Sequence, residues 1–370
     1  MKKEFFDAVW TFVGITVGAG IFGLPFVFHK AGFLTGLFVM SFVGIVLLLI
    51  SLYLGEVVLR TKGKHQLSGL ASRYLGENGK WIMFFANAVS IYGALTAYTV
   101  GSGQALAAIF GGSTLIFSIL FFIVVAFVIY FGINMLETFE SVFTPLKIAI
   151  ALILSFLLVG FIKFDNLSGF SYSNLMIPYG VSIFAFAGLS ALPEMNEELR
   201  NKKYMFWAIL VGIIITYLIY LLFAFSVVGS VGKVDEVATV SLSKFGTGVS
   251  LFSNLFVLFA MATAFVALGF ALKEDMTLDF GLSNSKSWFI VVIIPLLLIL
   301  GGFFGFVKLI ELSGAIGVGI ILCLILLMHS KAKNCGERKP EYELADNKFL
   351  KVTLFLILVV GIIYTILSLV

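Results

Sequence analysis

The chain has 370 residues, 61% of them hydrophobic and 12% charged, with a net charge of +4. So much apolar surface excludes a soluble globular protein, and the absence of any basic patch interleaved with aromatics excludes a nucleic-acid binder. Eleven apolar stretches follow one another, at roughly 5–28, 33–59, 81–110, 115–133, 141–162, 177–196, 204–230, 242–272, 287–304, 309–328 and 348–369. Each is long enough to cross a hydrocarbon core about 30 Å thick, and in lipid such runs fold as helices. Met1 to Glu4 join the first stretch too directly to act as a cleavable signal peptide.

The first stretch carries GAGIFGLP, Gly18 to Pro25, at its centre. Glycine costs about 1 kcal/mol and proline about 3 kcal/mol in a helix interior, so the helix is expected to open there. Opening near Val17 to Gly20 frees backbone N–H groups at the start of the second half, and these donors with the positive dipole end suit a carboxylate. Gly18, Ala19, Gly20 and Ile21 form that candidate segment.

The second stretch ends with Glu56 one turn before Arg60, an i,i+4 ion pair with a further candidate role in an inner gate. The fifth contains Lys147 in TPLKIAIALIL, where a lysine costs roughly 2.5–3.5 kcal/mol on insertion scales. By rise per residue it lies about 10 Å above the inner edge, within reach of the level of Gly14, Val17 and Thr263, about 13–18 Å above it. Snorkelling to the inner interface is the structural alternative for this side chain.

The sixth stretch contains GLSALP, Gly188 to Pro193, which repeats the pattern of GIFGLP, Gly20 to Pro25, 168 positions later. A repeated break in spans of opposite direction points to an inverted-repeat transporter. The reading is an all-α integral membrane protein: one transporter domain, a first five-helix repeat (5–162), an inverted second repeat (177–328), and an additional helix (348–369). Spans one and six are discontinuous. The half-helix before Gly188 ends in free carbonyls, Phe184 to Ala187, which suit an ammonium group. Donors for an anion and acceptors for a cation, with no ionic side chain between them, describe an amino acid.

Orientation follows from the cations. With the N-terminus inside, 18 Lys and Arg fall in inner segments and 5 in outer ones, Lys147 belonging to neither. The N-terminus is therefore expected in the cytoplasm and, with eleven spans, the C-terminus outside the plasma membrane. Cys323 and Cys335 read as unpaired. An enzyme of the membrane interior needs paired carboxylates or a metal cluster. The three histidines, His29, His65 and His329, lie at span ends, and no metal or other cofactor is expected. A channel needs a repeated pore loop or a charged ring, and neither is present.

These residues resemble the amino acid permeases of the amino acid–polyamine–organocation superfamily, in particular the amino acid/auxin and the hydroxy- and aromatic-amino-acid permeases. VGAGIFGLPFVFHKAGFLTG resembles their first span and FAFAGLSALPEMNEEL their sixth. YLGEVVLR followed by GLASRYLGENGKW resembles the end of their second span and the loop after it, LTAYTVGSG their third span and ATAFVALGFALKEDM their eighth. The resemblance implies that Gly18, Ala19 and Gly20 bind the substrate carboxylate, and that the carbonyls of Val17, Phe184, Ala185 and Ala187 take the amino group. It implies Phe184 or Phe186 as an aromatic lid, and Tyr98 and Thr96 in the side-chain pocket. It also implies ion coupling near Gly14 and Thr263, with Lys147 resembling a lysine that replaces sodium in some proton-coupled relatives. The function expected is symport of a neutral amino acid, aliphatic or aromatic, by alternating access, with H+ as coupling ion. Na+ coupling through Thr263 stays open, and an organic-cation or polyamine carrier of the same fold is the rival. The partners are the amino acid and the lipid bilayer; the sequence does not address an oligomer.

Overall fold

The computed structural model describes residues 2–131, 136–278, 281–302 and 304–369. Among them every regular element is helical. The first stretch forms α1 (Lys2–Thr16) and α2 (Gly20–Ala31), bent by 58° across the break. Then come α3 (Phe33–Arg60), α4 (Leu67–Phe110), α5 (Thr114–Phe131) and α6 (Leu136–Leu158). The sixth stretch forms α7 (Tyr179–Ala185) and α8 (Ala191–Glu198), followed by α9 (Met205–Val231), α10 (Thr247–Leu278) and α11 (Asn284–Gly301). α12 (Phe306–Leu312) and α13 (Gly319–Cys335) are joined through a π-helical turn, Ser313–Val318, and α14 (Lys348–Leu367) closes the chain.

Eight described helices are long and apolar enough to cross a membrane, nine if the bent pair α1/α2 counts as one span. Length and composition therefore do not reach the eleven crossings expected. α7 and α8 have 7 and 8 residues, far short of the roughly 20 needed to span. The interval 60–80, read as an inner loop, is helical from Leu67. α4 bends at Gly76, whose φ of 75° is open to glycine at little cost.

Side-chain and backbone contacts fix which ends share a face. Arg200 N–H donates to Glu4, Lys64 pairs with Glu197, Phe5 packs edge-on against Tyr204, and Arg60 pairs with Glu343. The N-terminus, the α3–α4 turn, the α8–α9 turn and residues 336–347 thus lie at one end. At the other, Leu34 N–H donates to Gly169 O, Lys163 N–H to Gly229 O, and Lys308 to the Ser368 hydroxyl near the C-terminus.

The broken helices lie in the middle of the bundle. α1 packs on α8 and α9, and α2 on α3, α7 and α9. Phe12, Phe22, Phe28, Tyr220 and Phe223 are buried there. The outer helices turn large apolar side chains outward, on α5 Ile116, Leu120, Val124 and Phe127. That surface is solvated by acyl chains, so its exposure carries no penalty in a bilayer.

Candidate functional site

The two breaks meet. α1 packs on α8 and α2 on α7, so the broken helices run in opposite directions and halves at the same end pair. The glycines set this closeness. A Cβ on Gly20 would fall 2.7 Å from Ala185 Cα, and one on Gly188 would fall 1.9 Å from Thr16 Oγ1. Each copy of the repeated motif therefore seats its first glycine against the residue that ends the other helix's first half. At Gly20 the side where a Cβ would stand is taken by α7. The position beside it that opens to space is Gly18, half-buried, with nothing within 4 Å of a Cβ placed there.

At the first break Gly18 N–H turns back to Thr16 O at 2.9 Å, and Phe22 N–H to Ala19 O at 3.1 Å. Ala19 and Gly20 head the second half, where amides lack intrahelical acceptors. Ala19 and Ile21 are buried, as is Val17. At the second break Ala187 N–H donates to Phe184 O at 3.2 Å and Gly188 N–H to Phe186 O at 2.8 Å. Of the two aromatics expected as lid, Phe184 is half-buried with its ring 6.5 Å from that of Tyr98, at 66°. Phe186 is 1% exposed, wedged between Tyr220 and Gly44. Phe184 and Tyr98 are thus drawn together, with the half-buried Ala187 bonded to Phe184 O, while Phe186 belongs to the core. The Thr96 hydroxyl bonds its own helix at Tyr92 O.

Access differs between the two ends. Asp7, Thr11 and Gly14 on α1, and Gly18 just beyond it, are exposed or half-buried, as are Ser190 at the cap of α8 and Glu194 and Glu197 within it. At the opposite end Gly20 to Pro25 are all buried, and the connection after α9 is fastened to α2 by Ala238 N–H on Phe22 O, 3.0 Å.

Lys147 is half-buried on α6, a helix that packs on α9 and α10 and reaches α1. Gly14 and Thr263 are likewise half-buried, and the Thr263 hydroxyl bonds Phe259 O and Ala260 O of its own helix.

Glu56 makes far more than an i,i+4 pair. It is fully buried and accepts from Arg60 Nε at 2.8 Å, His329 Nε2 at 3.0 Å, Lys333 Nζ at 2.9 Å and Leu344 N–H at 2.7 Å. Residues 336–347 form a strap over the end of α3, held also by Tyr342 OH on Leu52 O at 2.6 Å. In that strap the Glu343 carboxyl is held below its ordinary value, first by a hydrogen bond from Lys333, and the Asp346 carboxyl likewise by one from Lys351.

Sequence reasoning missed Tyr220 on α9. It is fully buried, and its hydroxyl lies 2.7 Å from both Thr16 O and Ala185 O, the last carbonyls of α1 and α7. The Ala185 carbonyl, expected to take a substrate amino group, is already engaged. No local signal marks Tyr220, since its partners lie 204 and 35 residues away. Cys323 and Cys335 are both free thiols.

A multi-pass helical bundle with two facing helix breaks has the build of a membrane transporter. The same architecture is found in the crystal structure of MhsT in complex with L-phenylalanine. The two superpose with a TM-score of 0.65 at 17% identity, over 99% of this chain and 98% of that one. The chain belongs to the tryptophan/tyrosine permease family, whose sequence model matches residues 1–367. It is similar to the tyrosine-specific transport system 1 of Haemophilus influenzae, 27% identical over 290 residues and 70% of each chain. It is also similar to a putative amino-acid transporter of Methanocaldococcus jannaschii, 19% identical over 288 residues, 76% of this chain and 74% of that one. The protein is an amino acid transporter and not an enzyme.

Proposed function

We propose that this permease carries a neutral amino acid with an aromatic or large aliphatic side chain, by alternating access and in symport with protons. One observation carries the reading: two helix breaks face each other with no ionic side chain in either, and the ring of Phe184, at the second break, meets that of Tyr98. The Ala19 and Gly20 amides head a helix and suit the carboxylate. The carbonyls of the breaks suit the amino group, and the two rings suit an aromatic side chain. A tyrosine transporter among its relatives and an L-phenylalanine complex among its structural neighbours support that choice.

In this reading α1/α2 and α7/α8 are the first and sixth of eleven crossings, equivalent members of a 5+5 inverted repeat, and α14 is the eleventh. The reciprocal seating of Gly20 and Gly188 supports the equivalence. The N-terminal end is cytoplasmic, in keeping with the excess of Lys and Arg there, and the C-terminus is outside the plasma membrane. Lys147 is the group that loads and releases the coupling proton.

Purified protein in liposomes tests the reading. Labelled tyrosine, tryptophan, phenylalanine and leucine are offered under an imposed proton or sodium gradient. Uptake of at least one, driven by the proton gradient and competed poorly by its methyl ester, is expected. Competition by the ester equal to that of the free acid rules out a carboxylate site at the break, and uptake driven only by sodium rules out the proton.

A further inference from the structure

The carbonyl ends of two helices converge on a single hydroxyl. Thr16 is the last residue of α1 and Ala185 the last of α7, and Tyr220 OH lies 2.7 Å from both carbonyl oxygens. Each helix C-terminus carries partial negative charge, so the space between them attracts a cation or a proton donor. A phenol has one proton. It donates to one carbonyl at a time or is divided across the pair.

Packing makes the hydroxyl's position specific. Tyr220 is fully exposed to neither lipid nor water, being 0% exposed, and its ring lies edge-on to Phe186 at 5.3 Å. Thr16 and Ala185 are also the residues on which Gly188 and Gly20 are seated. The hydroxyl therefore joins the two residues through which the breaks already touch. It stands where a cation shared by the two carbonyls would have to lie.

We infer that Tyr220 is a positioning residue that ties the two helix breaks together, its hydroxyl proton forming the bridge that a bound cation between the Thr16 and Ala185 carbonyls would otherwise form. The inference goes beyond the transport reading and is tested without substrate, so failure of one is distinguishable from failure of the other.

The test is hydrogen–deuterium exchange of the purified protein, wild type against Tyr220→Phe, in sodium and in choline buffers. The variant keeps the ring and loses only the donor. Exchange is expected to rise about fivefold in peptides covering both breaks, the effect of losing one net hydrogen bond on a local opening equilibrium. α3 to α5 are expected to be unchanged. Wild-type protection is expected to be equal in the two buffers. No rise, a rise at one break only, or a rise throughout the fold overturns the tie. Loss of wild-type protection in choline also overturns it, because a cation would then be forming the bridge. Where Tyr220→Phe is not recovered folded, Tyr220→Met is read in the same way, and failure of both to fold overturns a role confined to the breaks.

Discussion

Gly20 and Ala185 pack backbone to backbone: a methyl group on Gly20 would meet Ala185 Cα at 2.7 Å. The neighbouring Gly18 has nothing within 4 Å of a Cβ placed there. Two glycines two residues apart therefore answer to different demands, one of the fold and one of the cavity. Gly20→Ala is expected to cost about 1–3 kcal/mol through overpacking, and Gly20→Val more, with transport abolished. Gly18→Ala is expected to leave thermal stability unchanged while lowering uptake, because its methyl group enters the open space. Melting temperature in detergent and uptake in liposomes, measured on the same preparations, separate the two.

The two phenylalanines at the second break should part company in the same way. Phe186→Ala removes a fully buried ring wedged between Tyr220 and Gly44, and is expected to destabilise the protein by about 3–5 kcal/mol. Phe184→Ala is expected to spare stability and to raise the KM for an aromatic substrate more than that for an aliphatic one. Equal effects of Phe184→Ala on both substrates would remove it from the side-chain pocket.

Lys147 is expected to set the pH dependence of uptake. Lys147→Ala should lose pH-dependent accumulation without acquiring a need for sodium. Lys147→Arg should fail as well, since a guanidinium does not release its proton in the range over which the transporter works. Uptake by both variants across pH, with and without sodium, is the measurement; an active, pH-responsive Lys147→Arg would falsify the role.

The strap predicts acid lability. The Asp346 carboxyl is held below its ordinary 3.8 by Lys351, and Glu343 below 4.5 by Lys333. Carboxyls depressed in the folded state bind fewer protons there than in the unfolded chain. Their contribution is complete above the ordinary values and is lost as pH falls through the folded ones. The melting temperature is expected to drop below about pH 4. Asp346→Asn should lower it at neutral pH and flatten the fall, and an unchanged acid limb in that variant would remove Asp346 from the account.

The breaks were legible in the sequence because glycine and proline cost most where a helix should be uninterrupted, and the motif recurs at Gly188 as it stands at Gly20. The long apolar helices were legible for the same local reason. What lay beyond reading depends on which distant residue arrives opposite. Phe184 and Phe186 are two of 41 phenylalanines, and only the arrival of Tyr98 at one and Gly44 at the other tells them apart. Glu56 read as the partner of Arg60 because four residues separate them. Its other partners come from α13 and from the strap, and no periodicity announces those. The packing of Gly20 on α7 is a tertiary contact, and the sequence carries no mark of it.

The Glu56 cluster also has a consequence for the order in which the molecule can be completed. Leu344, which donates to its carboxylate, follows it by 288 residues, and His329 by 273. At ribosomal speeds of about 5–20 residues per second, those partners emerge tens of seconds after Glu56 does. In that interval Arg60 is its nearest counter-charge, and the end of α3 must keep contact with water or headgroups. Sealing of that end is therefore a late event of biogenesis, and a nascent chain halted before α13 would carry an unfinished charge at the membrane surface, a mark by which quality control could tell it from the finished protein.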